Sequence, residues 1–156
     1  MGDYAKAEQG FRALIKIDPR SAAAYSNLGV VYLRTNRLDS AIKSFEAAHK
    51  LAPQSVGISL NLGLAYFRKK DFQQAIPHFD RVLRSDPTDE QARYLKGMCH
   101  FVIDDYESTV RTLEPLWTRE QNNLDFLFVL GIAYGKLKRT QDSEKTFERV
   151  SGELIF

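Results

Sequence analysis

A skeleton of large and small residues returns along this chain at a fixed spacing of 34 residues. Tyr25, Leu28, Gly29, Tyr32, Ala41, Phe45, Ala48 and Pro53 are followed one step later by Leu62, Gly63, Tyr66, Ala75, Phe79, Val82 and Pro87. The next step reaches Gly97, His100, Thr109, Leu113 and Leu116, and the last reaches Leu130, Gly131, Tyr134, Ser143, Phe147 and Val150. A repeat of this length is one supersecondary unit that cannot bury its own apolar face, so copies must stack. That constraint settles the fold class before composition is consulted.

Within each unit the skeleton has helical spacing. Tyr25, Leu28, Gly29 and Tyr32 recur at three, four and seven residues, on one face of a first helix A. Ala41, Phe45 and Ala48 do the same on a following helix B. Small residues at Gly29 and Ala41 allow two antiparallel backbones to approach while the larger ones fill the space around them. In this frame the units run 22–55, 56–89, 90–123 and 124–156. Tyr4, Ala7, Phe11, Leu14 and Pro19 place a helix B without a helix A in residues 1–21, so the chain is expected to be part of a longer protein.

Local signals set the ends. The first unit is expected to place helix A at Ala22 to Thr35 and helix B at Leu38 to Leu51, with Asn36 in the left-handed turn between them. Asp71 with Gln74 forms a capping-box arrangement. Pro77 is read near the start of its helix, and Asp18-Pro19 and Asp86-Pro87 end theirs. Pro115 falls late in the third helix B and predicts a kink or an end there, after which Trp117 to Asn123 forms a polar crossing segment. The apolar tail Leu154, Ile155 and Phe156, with no polar capping helix, marks a removed continuation or a self-association surface.

Composition narrows function. Across 156 residues the 22 basic and 20 acidic side chains leave a net charge of +2, too small a footprint for nucleic acid. The longest apolar stretch, Phe126 to Tyr134, is half of a bilayer span, so membrane insertion is not expected. Lys6 stands where a myristoylation signal after Met1-Gly2 requires Ser or Thr. The single cysteine, Cys99, favours a reducing compartment such as the cytoplasm.

No catalytic, metal or cofactor site is expected. Gly131 to Lys136, GIAYGK, has three residues between its glycines and Leu137 after the lysine, so it is a packed helix and not a phosphate loop. Cys99 and His100 are adjacent and point to different helix faces. His49 and His78 lie on helices B and are read as surface or boundary residues.

The skeleton resembles the tetratricopeptide-repeat family, over nearly the whole chain and most closely in the first two units. The third departs from it at Lys96, His100 and Gln121. The resemblance implies an all-α solenoid, a right-handed superhelix of four antiparallel hairpins preceded by the orphan helix. It also implies a binding role without catalysis, with helices A lining a concave groove that takes an extended peptide or a partner helix.

The helix A face that the hairpin core does not use supports such a role. A solvated stripe there should be polar, yet it reads Leu60, Leu64, Phe67, then Tyr94, Met98, Phe101, then Phe128, Ile132. Asn27 and Asn61 hold the family's recurrent peptide-contact position, similar to the asparagine ladder in the repeat domain of O-linked N-acetylglucosamine transferase. An amide there offers one donor and one acceptor to a peptide backbone. The ladder ends at Leu95 and Val129. Ser26, Val30, Gln91 and Leu95 break the family's carboxylate clamp for chaperone tails. Arg34, Arg68 and Lys136 recur at the helix end, where they complement the macrodipole or receive acidic groups. The expected partner is therefore a protein or peptide. The alternatives are a self-associating spacer and the recognition arm of a larger protein or enzyme.

Overall fold

The repeat spacing becomes helices of nearly constant length. The computed structural model describes residues 3–153, and the chain divides between Pro87 and Thr88 into two compact units. The first holds α1 (Tyr4–Ile17), α2 (Ala22–Arg34), α3 (Leu38–Leu51), α4 (Val56–Arg68) and α5 (Phe72–Ser85). The second holds α6 (Glu90–Val102), α7 (Tyr106–Leu113), a 3₁₀ turn (Glu114–Leu116), α8 (Trp117–Glu120), α9 (Leu124–Lys136) and α10 (Thr140–Glu153). In unit one α2 pairs with α3 and α4 with α5, while α1 and α3 pack on the helices that follow them; in unit two the pairs are α6 with α7 and α9 with α10, and α7 packs on α9. The all-α hairpin architecture is present in both. Met1-Gly2 and the tail Leu154 to Phe156 lie outside the described residues.

Helix starts and stops repeat at the same spacing. Ser21, Ser55, Asp89 and Asn123 cap helices A, each side chain accepting from the backbone N–H three residues on. Asp3, Asp71 and Asp105 do the same for helices B, and at the equivalent position Arg37 makes no such bond. Between the two helices of each hairpin Asn36, Lys70, Asp104 and Lys138 take a left-handed φ of 59°, 65°, 61° and 59°. The N–H of the following residue then reaches back to the carbonyl of Tyr32, Tyr66, His100 or Tyr134, closing the helix end. This bond alters one expectation: the Asp71 N–H is taken by Tyr66, so Gln74 has no donor to reach back for, and only half of the capping box forms.

Hairpins close by setting a ring on a glycine. A Cβ on Gly29 would come within 2.6 Å of the Phe45 ring, on Gly63 within 2.7 Å of Phe79, on Gly131 within 2.9 Å of Phe147, and on Gly97 within 2.3 Å of Leu113. Phe45, Phe79, Ala41 and Ala75 are fully buried beside these contacts. In unit one the core runs through both hairpins, from Leu28, Tyr32 and Phe45 to Ile58, Leu62 and Ala65, with Phe11 and Ile15 of α1 packed onto it. Tyr4 and Leu14 of α1 are exposed, because no helix A stands against that face among the described residues.

Tyrosines latch α2, α4 and α9 to the helical segment before each. Tyr66 Oη donates to Glu46 Oε1 at 3.0 Å and Tyr134 Oη to Glu114 Oε1 at 2.8 Å. Tyr32 Oη donates to Glu8 Oε1 at 3.1 Å and accepts from Arg12 Nη2 at 2.9 Å. Burial first, and then the carboxylate, pushes the Tyr66 hydroxyl up to about 12.

Two prolines behave differently. Pro115 ends α7 in the 3₁₀ turn, as expected. Beyond it, Trp117 to Asn123 is more than a polar crossing: Trp117 starts the single turn α8, is half-buried against the second core and sets its ring 6.5 Å from Phe126. Pro77 lies inside α5 and not near its start, at the sixth helical residue. The helix continues because Pro77 is exposed, so water can satisfy the Gln73 carbonyl that loses its donor.

The turn geometry carries a test. Lys70 is exposed and left-handed, a conformation in which a side chain costs about 1 kcal/mol and glycine is free of that penalty. Lys70→Gly is therefore expected to raise the unfolding free energy by about 1 kcal/mol in urea denaturation, and a loss of stability would contradict the turn assignment.

Candidate functional site

The skeleton face of each helix A packs on its helix B, and the second stripe lies on the same helices. In unit one Leu60, Asn61, Leu64 and Phe67 share α4 and are half-buried, while Asn27 on α2 is exposed. Leu60 and Leu64 stand one turn apart, and the Phe67 ring meets Phe72 edge-on at 5.5 Å. The outcome is a low apolar ridge with an amide beside it on each of two neighbouring helices.

The two arginines diverge. Arg34 is exposed. Arg68 donates from Nη1 to the Leu33 carbonyl at 2.8 Å and from Nη2 to Asn36 Oδ1 at 3.2 Å. Its guanidinium thus holds the preceding hairpin's turn, a use that dipole complementarity alone did not foretell. Lys136 lies with its Nζ 5.9 Å from the centre of the Tyr106 ring.

Unit two presents its own patch. Tyr94, Met98 and Phe101 of α6 are half-buried and pack against the core cluster of Val110, Leu113, Phe126, Leu127 and Leu130. They therefore serve the packing of α6 on its neighbours as well as the surface. Burial, with Asp125 and Glu120 nearby, raises the Tyr94 hydroxyl above its ordinary value. Ile132 is half-buried, and Phe128 is 56% exposed with its ring 6.2 Å from Phe147. Phe128 is the most open large apolar side chain of the stripe.

The histidines of helices B are not simple boundary residues. His78 of α5 lies flat on Tyr66 of α4, with ring centres 5.7 Å apart and planes at 9°, and His49 of α3 meets His78 edge-on at 6.4 Å. A carboxylate is close, since Tyr66 donates to Glu46. The sequence signal for this cluster was the 34-residue spacing, which puts His49, Tyr66 and His78 in register with Ile15, Tyr32 and Ser44. His78 is held below the ordinary imidazole range by burial first, then by His49 and Arg81, with Glu46 opposing.

Cys99 is fully buried, and burial pushes its thiol up to about 12. His100 Nδ1 lies 3.2 Å from Asp105 Oδ2. Among the described residues no group of three potential ligands could hold a metal ion, and no helix is long and apolar enough to cross a membrane. Gly131 lies buried in the middle of α9 against Phe147, as a packed helix requires.

Successive antiparallel helix hairpins built on one repeated skeleton define a helical-repeat protein. The chain belongs to the tetratricopeptide-repeat family: models of that repeat match residues 1–56 and 33–99. A model described as anaphase-promoting complex, cyclosome, subunit 3 matches residues 68–150. No curated protein matches the chain. Among solved structures, that of MamA is 20% identical with a TM-score of 0.85, covering 97% of this chain and 89% of that one. YrrB, described as "a TPR protein with an unusual peptide-binding site", is 18% identical with a TM-score of 0.85, covering 94% and 76%. These likenesses show the fold.

The depressed imidazole has a measurable consequence. Below about pH 6.5 the unfolded chain takes up a proton that folded His78 resists, so unfolding free energy is expected to be level above that pH and to fall as pH drops through it. His78→Gln should flatten the slope between pH 6.5 and 5 in denaturant titrations, and an unchanged slope would place the titration elsewhere.

Proposed function

We propose that the chain is a protein-interaction module that binds an extended peptide or a partner helix on the open faces of its helices A, without catalysis. The observation that carries this reading is the row of apolar side chains left partly or wholly open on helices A, from half-buried Leu60 and Leu64 to exposed Phe128. Asn27 and Asn61, in equivalent positions on α2 and α4, hold the peptide backbone by donating and accepting hydrogen bonds, in the manner of the asparagine ladder of the transferase repeat domain. Leu60, Leu64 and Phe67 give apolar contact in unit one, and Tyr94, Met98, Phe101, Phe128 and Ile132 do so in unit two. Arg34 offers a guanidinium to an acidic group at the edge, whereas Arg68 is committed to the Leu33 turn. The peptide-binding description of YrrB, a protein of the same fold, agrees with this ligand class.

A second reading rests on the match of residues 68–150 to a subunit of a large assembly. There the chain is the recognition arm of a multi-subunit protein, and the open face docks a neighbouring subunit. Self-association as a spacer is the remaining alternative, and a dilute monomer in sedimentation would exclude it.

The asparagines and the ridge are tested together. For a peptide selected on the intact chain, Asn27→Ala with Asn61→Ala is expected to weaken binding about tenfold in fluorescence anisotropy, the equivalent of about 1.4 kcal/mol from lost hydrogen bonds. Leu64→Glu should abolish it. Unchanged affinity in the double variant would remove the asparagines from the mechanism.

A further inference from the structure

A different surface lies between successive helices B, over the skeleton face of helix A. At the α1–α3 junction a cavity of about 460 Å³ opens to solvent, floored by Tyr25, Leu28 and Tyr32 and walled by Ile15, Ser40 and Ser44. Arg12, Lys16 and Lys43 are exposed along its sides, and no carboxylate lines it. The acids nearby are taken: Glu8 is bound by Arg12 and Arg37, and Asp39 by Lys69 at 2.6 Å. Lys16 and Lys43 are exposed, and Lys43 shares the field of Asp39, whose carboxylate is bonded to Lys69.

One repeat further on, the protein fills the same register itself. His78 follows Ser44 by 34 residues, as Tyr66 follows Tyr32 and His49 follows Ile15. There the imidazole of His78 lies flat on the Tyr66 ring. Serine in place of histidine leaves a ring-sized space beside Tyr32, with cations around it and apolar carbon beneath.

We propose that this α1–α3 groove docks an acidic segment of a partner protein, which inserts one aromatic side chain beside Tyr32 and Leu28. Asp or Glu residues flanking that ring pair with exposed Lys16 and Lys43, in keeping with the cationic lining of the groove. The aromatic anchor supplies most of the affinity by leaving water for a ready-made pocket, and the flanking pairs set orientation and on-rate. This surface is separate from the helix A stripe, so one chain would hold two partner segments at once.

The probe is a library of random 12-residue peptides displayed on phage and selected on the intact chain, followed by anisotropy with the enriched peptides. Enriched sequences are expected to carry Trp, Phe or Tyr with Asp or Glu within three positions. Their affinity should fall at least tenfold for Ser44→His, which fills the space as His78 does, and for the exposed pair Lys16→Glu with Lys43→Glu. Leu64→Glu should leave it unchanged. If Ser44→His fails to fold by circular dichroism, the paired lysine variant decides alone. Absence of acidic aromatic peptides, or indifference to the groove variants, overturns the proposal. Loss of binding with Leu64→Glu alone also overturns it, and returns the peptide to the helix A stripe.

Discussion

A ring resting on a glycine is the contact from which the rest of this molecule follows. At Gly29, Gly63 and Gly131 a phenylalanine of the partner helix occupies the volume that any side chain would need. Such packing admits one rotation of each helix A about its axis, since turning it would drive a larger residue into the ring. With that rotation fixed, Leu28, Leu62 and Leu130 go inward, while the second stripe lies at the hairpin's edge, where Phe67 and Phe128 still touch Phe72 and Phe147 of their own helices B. The buried skeleton and the partly open stripe are thus two results of a single steric choice.

Variation in this lock accounts for the irregular part of the chain. The third hairpin has Leu113 where the others have phenylalanine, its helix B stops after eight residues, and Pro115 converts the continuation to a 3₁₀ turn. Trp117 then supplies the aromatic bulk that the shortened helix lacks, packing beside Phe126. Tyr94, Met98 and Phe101 are drawn into the same cluster, so in unit two the stripe contributes to packing as well as to surface.

Much of this was legible in the sequence, and the rest was hidden for definable reasons. Periodicity revealed the hairpins, the helix ends at Asp18 and Asp86 and the left-handed Asn36, because each depends on local backbone chemistry. Pro77 was placed too near its helix start because an exposed proline is tolerated wherever water can reach the freed carbonyl. The stack of His49, Tyr66 and His78 was missed because it joins three helices, α3, α4 and α5. Arg68 was ambiguous for a similar reason: its charge suits a helix end, but only the fold brings it to the Leu33 carbonyl. The sharing of Tyr94, Met98 and Phe101 with the core depends on how hairpins stack, which a single repeat does not encode.

The central claim is that the glycine lock leaves the Leu64 face of helix A open for a partner while sealing the Leu62 face. Thiol alkylation of variants with one introduced cysteine measures this directly, since native Cys99 is fully buried with its thiol pushed up to about 12 and contributes little background. Leu64→Cys should react far faster than Leu62→Cys, and a bound partner peptide should slow the first without affecting the second. Equal protection of both positions, with or without peptide, would show that the proposed docking face is closed.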